Sequence, residues 1–173
     1  MHRFAAVLLL AVAAAGDIFS AVQMDSAELL QEALDEDPSE LNRRGPGGQT
    51  PLMNAVLSGK SHAVAFLLQA GADPTIPEKD GYTPPHGAGF QGRAEIARLL
   101  HAHGINIDVA HSDGNRPIQR ACWGNDKRHA DTVKTFVELG AALAVKDCRT
   151  SNPHTKSYLA SHFKMSVPGA GEF

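Results

Sequence analysis

A three-residue phrase returns in this chain at one interval. Thr50-Pro51-Leu52, Thr83-Pro84-Pro85 and a worn copy, Arg116-Pro117-Ile118, start 33 residues apart. A period of about 20 to 50 residues marks one supersecondary unit made repeatedly and stacked, not unrelated elements around a single core. A lone unit of this kind leaves its apolar face uncovered, so about three repeats with capping ends are needed for stability. The array is barely that long, and its stability is expected to be marginal and concentrated in the first two repeats.

Local chemistry says what the unit is. Pro51, Pro84 and Pro117 each suit the first position of a helix, where the missing N–H has no partner to lose. Thr50 and Thr83 precede them as N-caps, whereas Arg116 lacks the capping oxygen, so the third helix should start less securely by about 1 kcal/mol. Small residues recur at Ala55, Ala88 and Ala121. Apolar residues at helical spacing follow in each unit: Val64, Phe66, Leu67 and Leu68; Ile96, Leu99 and Leu100; Val133, Phe136 and Val137. Gly71, Gly104 and Gly140 then end the second helix in the left-handed conformation. Each unit therefore reads as helix, turn, helix and a hairpin-like loop to the next.

Whole repeats carry a family resemblance. GGQTPLMNAVLSGKSHAVAFLLQAGADPT (47–75), DGYTPPHGAGFQGRAEIARLLHAHGINID (80–108) and DGNRPIQRACWGNDKRHADTVKTFVELGAALA (113–144), the last with three extra residues near Asn125, resemble the ankyrin family. That family's signature is T-P-L-H-x-A at this period. The resemblance runs from residue 25 to about 160 and implies an all-α fold, an ankyrin-repeat α-solenoid of stacked helix-turn-helix units. His86 matches the motif histidine, for which the resemblance implies a structural hydrogen bond; Met53 and Gln119 depart from it.

The expected division is 1–21 as a signal peptide, 22–46 as an N-terminal half-cap, 47–79, 80–112 and 113–148 as repeats, 149–164 as a degenerate C-terminal cap and 165–173 as a flexible tail. His2 and Arg3 followed by the apolar run Phe4 to Ala15 have the layout of a secretory leader, with cleavage expected near Ala15 or Gly16. An apolar helix under the cap and a signal anchor are the alternatives. Export to the secretory pathway, the extracellular space or a periplasm is expected, with a cytoplasmic chain as the alternative. The half-cap has an apolar line at Ala27, Leu30, Ala33 and Leu34, and Asn152-Pro153-His154 falls where a fourth motif would start. Tyr158, Leu159 and Phe163 are suited to cover the third repeat.

A net charge of −3 with mixed signs gives no global field for nucleic acid or an acidic membrane surface. Acids crowd the N-terminal cap, from Asp25 to Glu40, and bases gather from Arg116 to Arg149. This is either a solvated mixed surface or a polarity that orients a partner. Cys122 is expected as a small buried hydrophobe, with pairing to Cys148 left open. No nucleotide loop, nucleophile elbow or paired CxxC occurs, so neither a cofactor nor a metal is expected. His101 and His103 suit the negative end of a helix better than one shared ion.

A second ladder has the same period. Leu57, Phe90 and Trp123 stand 33 residues apart, each two after its register alanine. The resemblance implies that this register lies near the exposed end of the inner helix, facing the concave groove. Stacked there, the three side chains make an apolar stripe suited to a partner; packed inward, they fill gaps between helices. Gln49, Tyr82 and Asn115 precede the motif position, and with Lys79, Asp80, Ser112 and Asp113 they resemble the hairpin positions such arrays use for contact. Gly124 to His129 lengthens the third turn and is expected to add polar reach. The function expected is a non-catalytic module that binds a protein through groove and loop tips, as a monomer or a subunit of a hetero-complex. A metal- or small-ligand-handling protein and a structural or regulatory subunit are the alternatives.

Overall fold

The computed structural model describes residues 17–163, and every regular element among them is helical. The chain forms two compact units that divide between Gly87 and Ala88. The first holds α1 (Ile18–Met24), α2 (Ala27–Glu36), 3-10 turns at Pro38–Asn42 and Pro46–Gly48, α3 (Pro51–Ser58), α4 (Ser61–Gln69) and the start of α5 (Pro84–Gln91). The second holds the end of α5, α6 (Ala94–Ala102), α7 (Pro117–Cys122), α8 (Lys127–Glu138), a 3-10 turn at Val145–Asp147 and α9 (Pro153–His162).

The predicted helix ends have one chemistry, used three times. At the end of α4, the Ala72 N–H bonds to the Leu67 carbonyl at 2.9 Å and the Gly71 N–H to Leu68 at 3.1 Å. After α6 the same pair runs from Ile105 to Leu100 at 3.1 Å and from Gly104 to His101 at 2.9 Å. After α8 it runs from Ala141 to Phe136 at 2.9 Å and from Gly140 to Val137 at 3.0 Å. This is the Schellman closure, and it needs the left-handed φ of 86°, 75° and 88° found at the three glycines.

Helix starts follow the sequence at Thr50, whose hydroxyl accepts from the Met53 N–H at 3.2 Å. The third start is made differently. Arg116 has no capping oxygen, but the Gln119 side chain reaches back to accept the Arg116 N–H at 2.7 Å. The departure from the motif histidine at Gln119 thus supplies half of a capping box and offsets the missing threonine. His86 keeps a structural place, with its Nδ1 2.9 Å from the Thr83 hydroxyl.

The N-terminal cap is a full helix pair. Helix α1 packs against α2 and α3 and buries Ile18, Ala21 and Val22. The expected boundary at residues 21 and 22 therefore falls inside a helix; the leader calls on residues 1–16 lie outside the described residues. Asp25, between α1 and α2, takes a left-handed φ of 54°. Its carboxylate accepts the Ala63 N–H at 2.9 Å, so the cap also closes the start of α4, where Lys60 offers no capping oxygen.

Helix α9 begins at Pro153 and packs on α8. Thr155 and Leu159 are buried in it, while Phe163 is 36% exposed. Cys122 is the small buried residue expected, and the structure decides the pairing that the sequence left open. Cys122 and Cys148 are disulfide-bonded, with Cα atoms 5.4 Å apart, because the chain after α8 folds back onto the end of α7. Both are buried, so the pair still serves as core.

Candidate protein-interaction surface

The inner-helix ladder is laid out unit by unit. In the first unit, Gln23 at the end of α1 donates to Asn54 Oδ1 at 2.7 Å and Ser58 Oγ at 3.0 Å, which sets the end of α1 beside the end of α3. Met24 then stands 71% exposed, and Leu57 is half-buried. Phe19, capped by the Arg43 guanidinium 5.0 Å from its ring centroid, lines a shallow cleft with Met24 and Pro46. In the second unit Phe90 is 57% and Trp123 45% exposed. Residues 24, 57, 90 and 123 share the 33-residue register. The sequence reading stopped at Leu57 because Met24 falls in the half-cap, outside the three repeats; one more step back along the period reaches it.

Trp123 is held from below. The Arg120 guanidinium lies 4.4 Å from its ring centroid, and Arg120 is only 6% exposed. Asp113 pairs with that guanidinium and so fixes the cation beneath the indole. Phe90 is set by its backbone. Its carbonyl accepts from His129 Nε2 at 3.1 Å, tying the end of α5 to the first turn of α8. Close approach requires glycine here, since a Cβ on Gly89 would lie 2.1 Å from the Pro117 carbonyl oxygen.

The hairpin tips repeat one backbone pattern. Gly45 N–H to Gln49 O, Glu78 N–H to Tyr82 O and His111 N–H to Asn115 O are each 2.9 Å. Lys79, Asp80, Ser112 and Asp113 are exposed at these tips, while Gln49, Tyr82 and Asn115 are half-buried. Asp113 is also committed internally. Its carboxylate accepts the Asn115 N–H at 2.9 Å and meets Arg120 and His111, and it is held well below the usual carboxylate range, chiefly by the Asn115 backbone N–H.

The third-repeat insertion is pinned through its backbone, while Asn125, Asp126, Lys127 and Arg128 are exposed. Asn152 is fully buried, and its Nδ2 donates to the Gly124 carbonyl at 3.0 Å and to Asp126 at 2.9 Å. Its Oδ1 accepts from His154 N–H at 3.0 Å, starting α9. Ser151 adds a bond to Asn125 Oδ1 at 2.7 Å, and His129 is buried. One asparagine thus fastens the insertion to the C-terminal cap while capping the helix that covers it. Lys127 and Arg128, beyond the clamp, remain exposed.

Among the described residues no group of three or more His, Cys, Asp or Glu is placed to hold a metal ion. His101 and His103 are exposed, and His103 Nδ1 lies 2.9 Å from the Leu99 carbonyl at the end of α6. No described helix is long and apolar enough to cross a membrane.

Comparison with known proteins agrees with this arrangement. A family model described as ankyrin repeats, in three copies, matches residues 52–147. The chain is 32% identical over 153 residues to the rat (Rattus norvegicus) ankyrin repeat and SAM domain-containing protein 6, covering 88% of this chain and 17% of that protein. It is 40% identical over 72 residues to mouse (Mus musculus) protein phosphatase 1 regulatory subunit 27, covering 42% of this chain and 47% of that one. A mouse B-cell lymphoma 3 protein homolog is 30% identical over 140 residues, covering 79% and 31%. In each case the chain spans less than half the length of the relative. With more than half of its length under the repeat model and the helix pairs, caps and hairpins in register, the chain belongs to the ankyrin-repeat family, an all-α class of protein-interaction modules.

Proposed function

We propose that this chain is a non-catalytic module that takes a protein partner through the exposed ends of its inner helices and the tips of its hairpins. One observation carries the reading. Four large apolar residues are exposed among those described, and three of them, Met24, Phe90 and Trp123, occupy a single register of the repeat. The register is exposed in the N-terminal cap and in the second and third repeats, with Leu57 of the first repeat half-buried, and exposed apolar groups with polar rims mark interaction sites. A regulatory subunit of a hetero-complex fits this reading, and the similarity to a relative named as a phosphatase regulatory subunit supports it. Trp123→Ala tests it. The expected result is partner recovery weakened by about 2 kcal/mol or more with little change in melting. A loss of about 3 kcal/mol in folding stability with no separate binding defect would make Trp123 a core residue and remove the anchor.

The reading extends to compartment. A secretory location is supported by the Cys122–Cys148 bond, since disulfides persist in oxidising compartments. N-terminal sequencing of protein from native cell fractions should find a start near Gly16 or Asp17 in a lumenal, periplasmic or extracellular fraction. An intact Met1 in the cytosol would remove export.

A further inference from the structure

We infer that His129 couples Phe90 to Trp123, as the positioning residue that makes these two exposed rings one anchor for a partner. This rests on the interaction reading above and adds the residue that sets its geometry.

Helix α5 closes its last turn in a way that leaves the Phe90 carbonyl to be claimed from elsewhere. The Gly92 N–H bonds to the Gly89 carbonyl at 3.2 Å and the Arg93 N–H to Ala88 at 2.9 Å. The Phe90 carbonyl accepts from His129 Nε2 at 3.1 Å, a residue 39 positions along the chain. A carbonyl only accepts, so the neutral ring carries its proton on Nε2 and its lone pair on Nδ1. Nδ1 is buried and makes no hydrogen bond among the described residues, with Asp126 Oδ2 4.0 Å away. The polar hold on this imidazole is therefore its bond to Phe90.

The faces of the ring are set by glycine. A Cβ on Gly92 would stand 3.1 Å from His129 Cδ2, and one on Gly124 only 2.0 Å from the same atom. Gly92 follows Phe90 by two residues, and Gly124 follows Trp123 directly. The buried imidazole thus lies against the turn that ends α5 and the turn that ends α7. Asn152 backs this joint from α9 by donating to the Gly124 carbonyl at 3.0 Å. A second contact joins the same two helices. A Cβ on Gly89 would lie 3.4 Å from Arg120 Cβ, and the Arg120 guanidinium supports the Trp123 ring. Phe90 is tied to Trp123 twice, through the residue before it and through its own carbonyl. Two rings fixed together before a partner arrives lose little freedom on binding.

Two substitutions separate coupling from plain packing. His129→Gln keeps an N–H donor toward the Phe90 carbonyl, whereas His129→Leu keeps apolar bulk without a donor. Trp123 is the sole tryptophan, so quenching of its emission by acrylamide reports on one end of the pair. His129→Gln is expected to keep the wild-type quenching and the wild-type recovery of partner from native fractions. His129→Leu, with its melting checked, should raise the quenching and weaken recovery about tenfold, as loss of one anchor does. Rings that act as one also lose less together than apart. Phe90→Ala with Trp123→Ala should fall short of the product of the two single losses by at least about threefold. The nitrogen spectrum of the wild-type ring adds a check that needs no variant, with the proton of the neutral imidazole expected on Nε2. A proton on Nδ1 instead, an additive pair of anchors, or wild-type quenching and recovery in His129→Leu each overturns the inference. So does His129→Gln behaving as His129→Leu, since a donor there would not matter. Should His129→Leu fail to fold, the ring spectrum and the anchor pair decide. All of these leave the interaction reading standing while Trp123→Ala still loses the partner. Unchanged recovery in Trp123→Ala sinks both.

Discussion

At the scale of the residue, Asp113 serves the fold through the same carboxylate that was expected to face a partner. Its oxygens accept the Asn115 N–H, lie 3.0 Å from His111 Nδ1 and pair with Arg120, and these contacts depress its pKa. Above the ordinary carboxylate value of about 4 the group is ionised in folded and unfolded chains alike, and its contacts stabilise the tip in full. As pH falls below about 4, the unfolded chain binds a proton that the folded tip resists, so stability is lost progressively. The wild-type protein should therefore show a steeper fall in melting temperature between pH 4 and pH 2.5, roughly the span below the free carboxylate pKa, than Asp113→Asn. Parallel curves would mean that the contacts do not act on stability. The exposure of Trp123 was legible only as one of two alternatives, because periodicity places a side chain in register without deciding what lies beneath it. Arg120, which decides it here, reaches Asp113 across the hairpin and the first turn of α7, a pairing that neither the period nor the capping pattern announces.

At the scale of the element, the parts read correctly from sequence are those settled within about five residues. The Schellman glycines, the proline starts and the Thr50 cap each depend on near neighbours, so period and residue type suffice. The cap over the third repeat is different. Its contacts join residues more than 20 apart: Cys122 to Cys148 across 26 residues and Asn152 to Gly124 across 28. Nothing near Gly124 signals that its carbonyl will be claimed by an asparagine at the start of α9, so the anchoring of the insertion was not legible locally. The disulfide should carry much of this element. Closing a loop of 26 residues removes entropy from the unfolded chain equivalent to about 3.5 kcal/mol in the chain-entropy model. Cys122→Ala with Cys148→Ala should therefore lower the urea midpoint, with Trp123 emission following the transition beside the missing bond. Two free thiols titrated in the native protein, or an unchanged midpoint, would remove the bond from the stability of the fold.

At the scale of the whole molecule, repeat arrays gain stability from neighbours, and an end repeat must present one face to its neighbour and another to water. Helix α1 meets that need at the N-terminal end. Its apolar side is used up in the first unit by Ile18, Ala21 and Val22, all at most 2% exposed, while Ser20, Gln23 and Met24 face outward. The expected boundary after residue 21 falls inside α1, because a secretory leader and a buried helix are both rich in small and aliphatic residues. Composition alone does not separate them. The periodicity does, since 18, 21 and 22 have the i, i+3, i+4 spacing of one helix face. The consequence is a limit on where the chain can start and still keep its cap. A chain starting at Asp17 keeps the buried Ile18 and the Asp17 pairing with Arg43, whereas a chain starting at Val22 loses both and leaves α2 and α3 with an uncovered apolar face. Losing a buried isoleucine alone costs about 2 to 5 kcal/mol. Compared by urea unfolding, the shorter chain should be less stable by at least about 3 kcal/mol, with a smaller denaturant slope because less surface is buried. Equal midpoints would mean that α1 does not cap the array, leaving α2 alone as the half-cap.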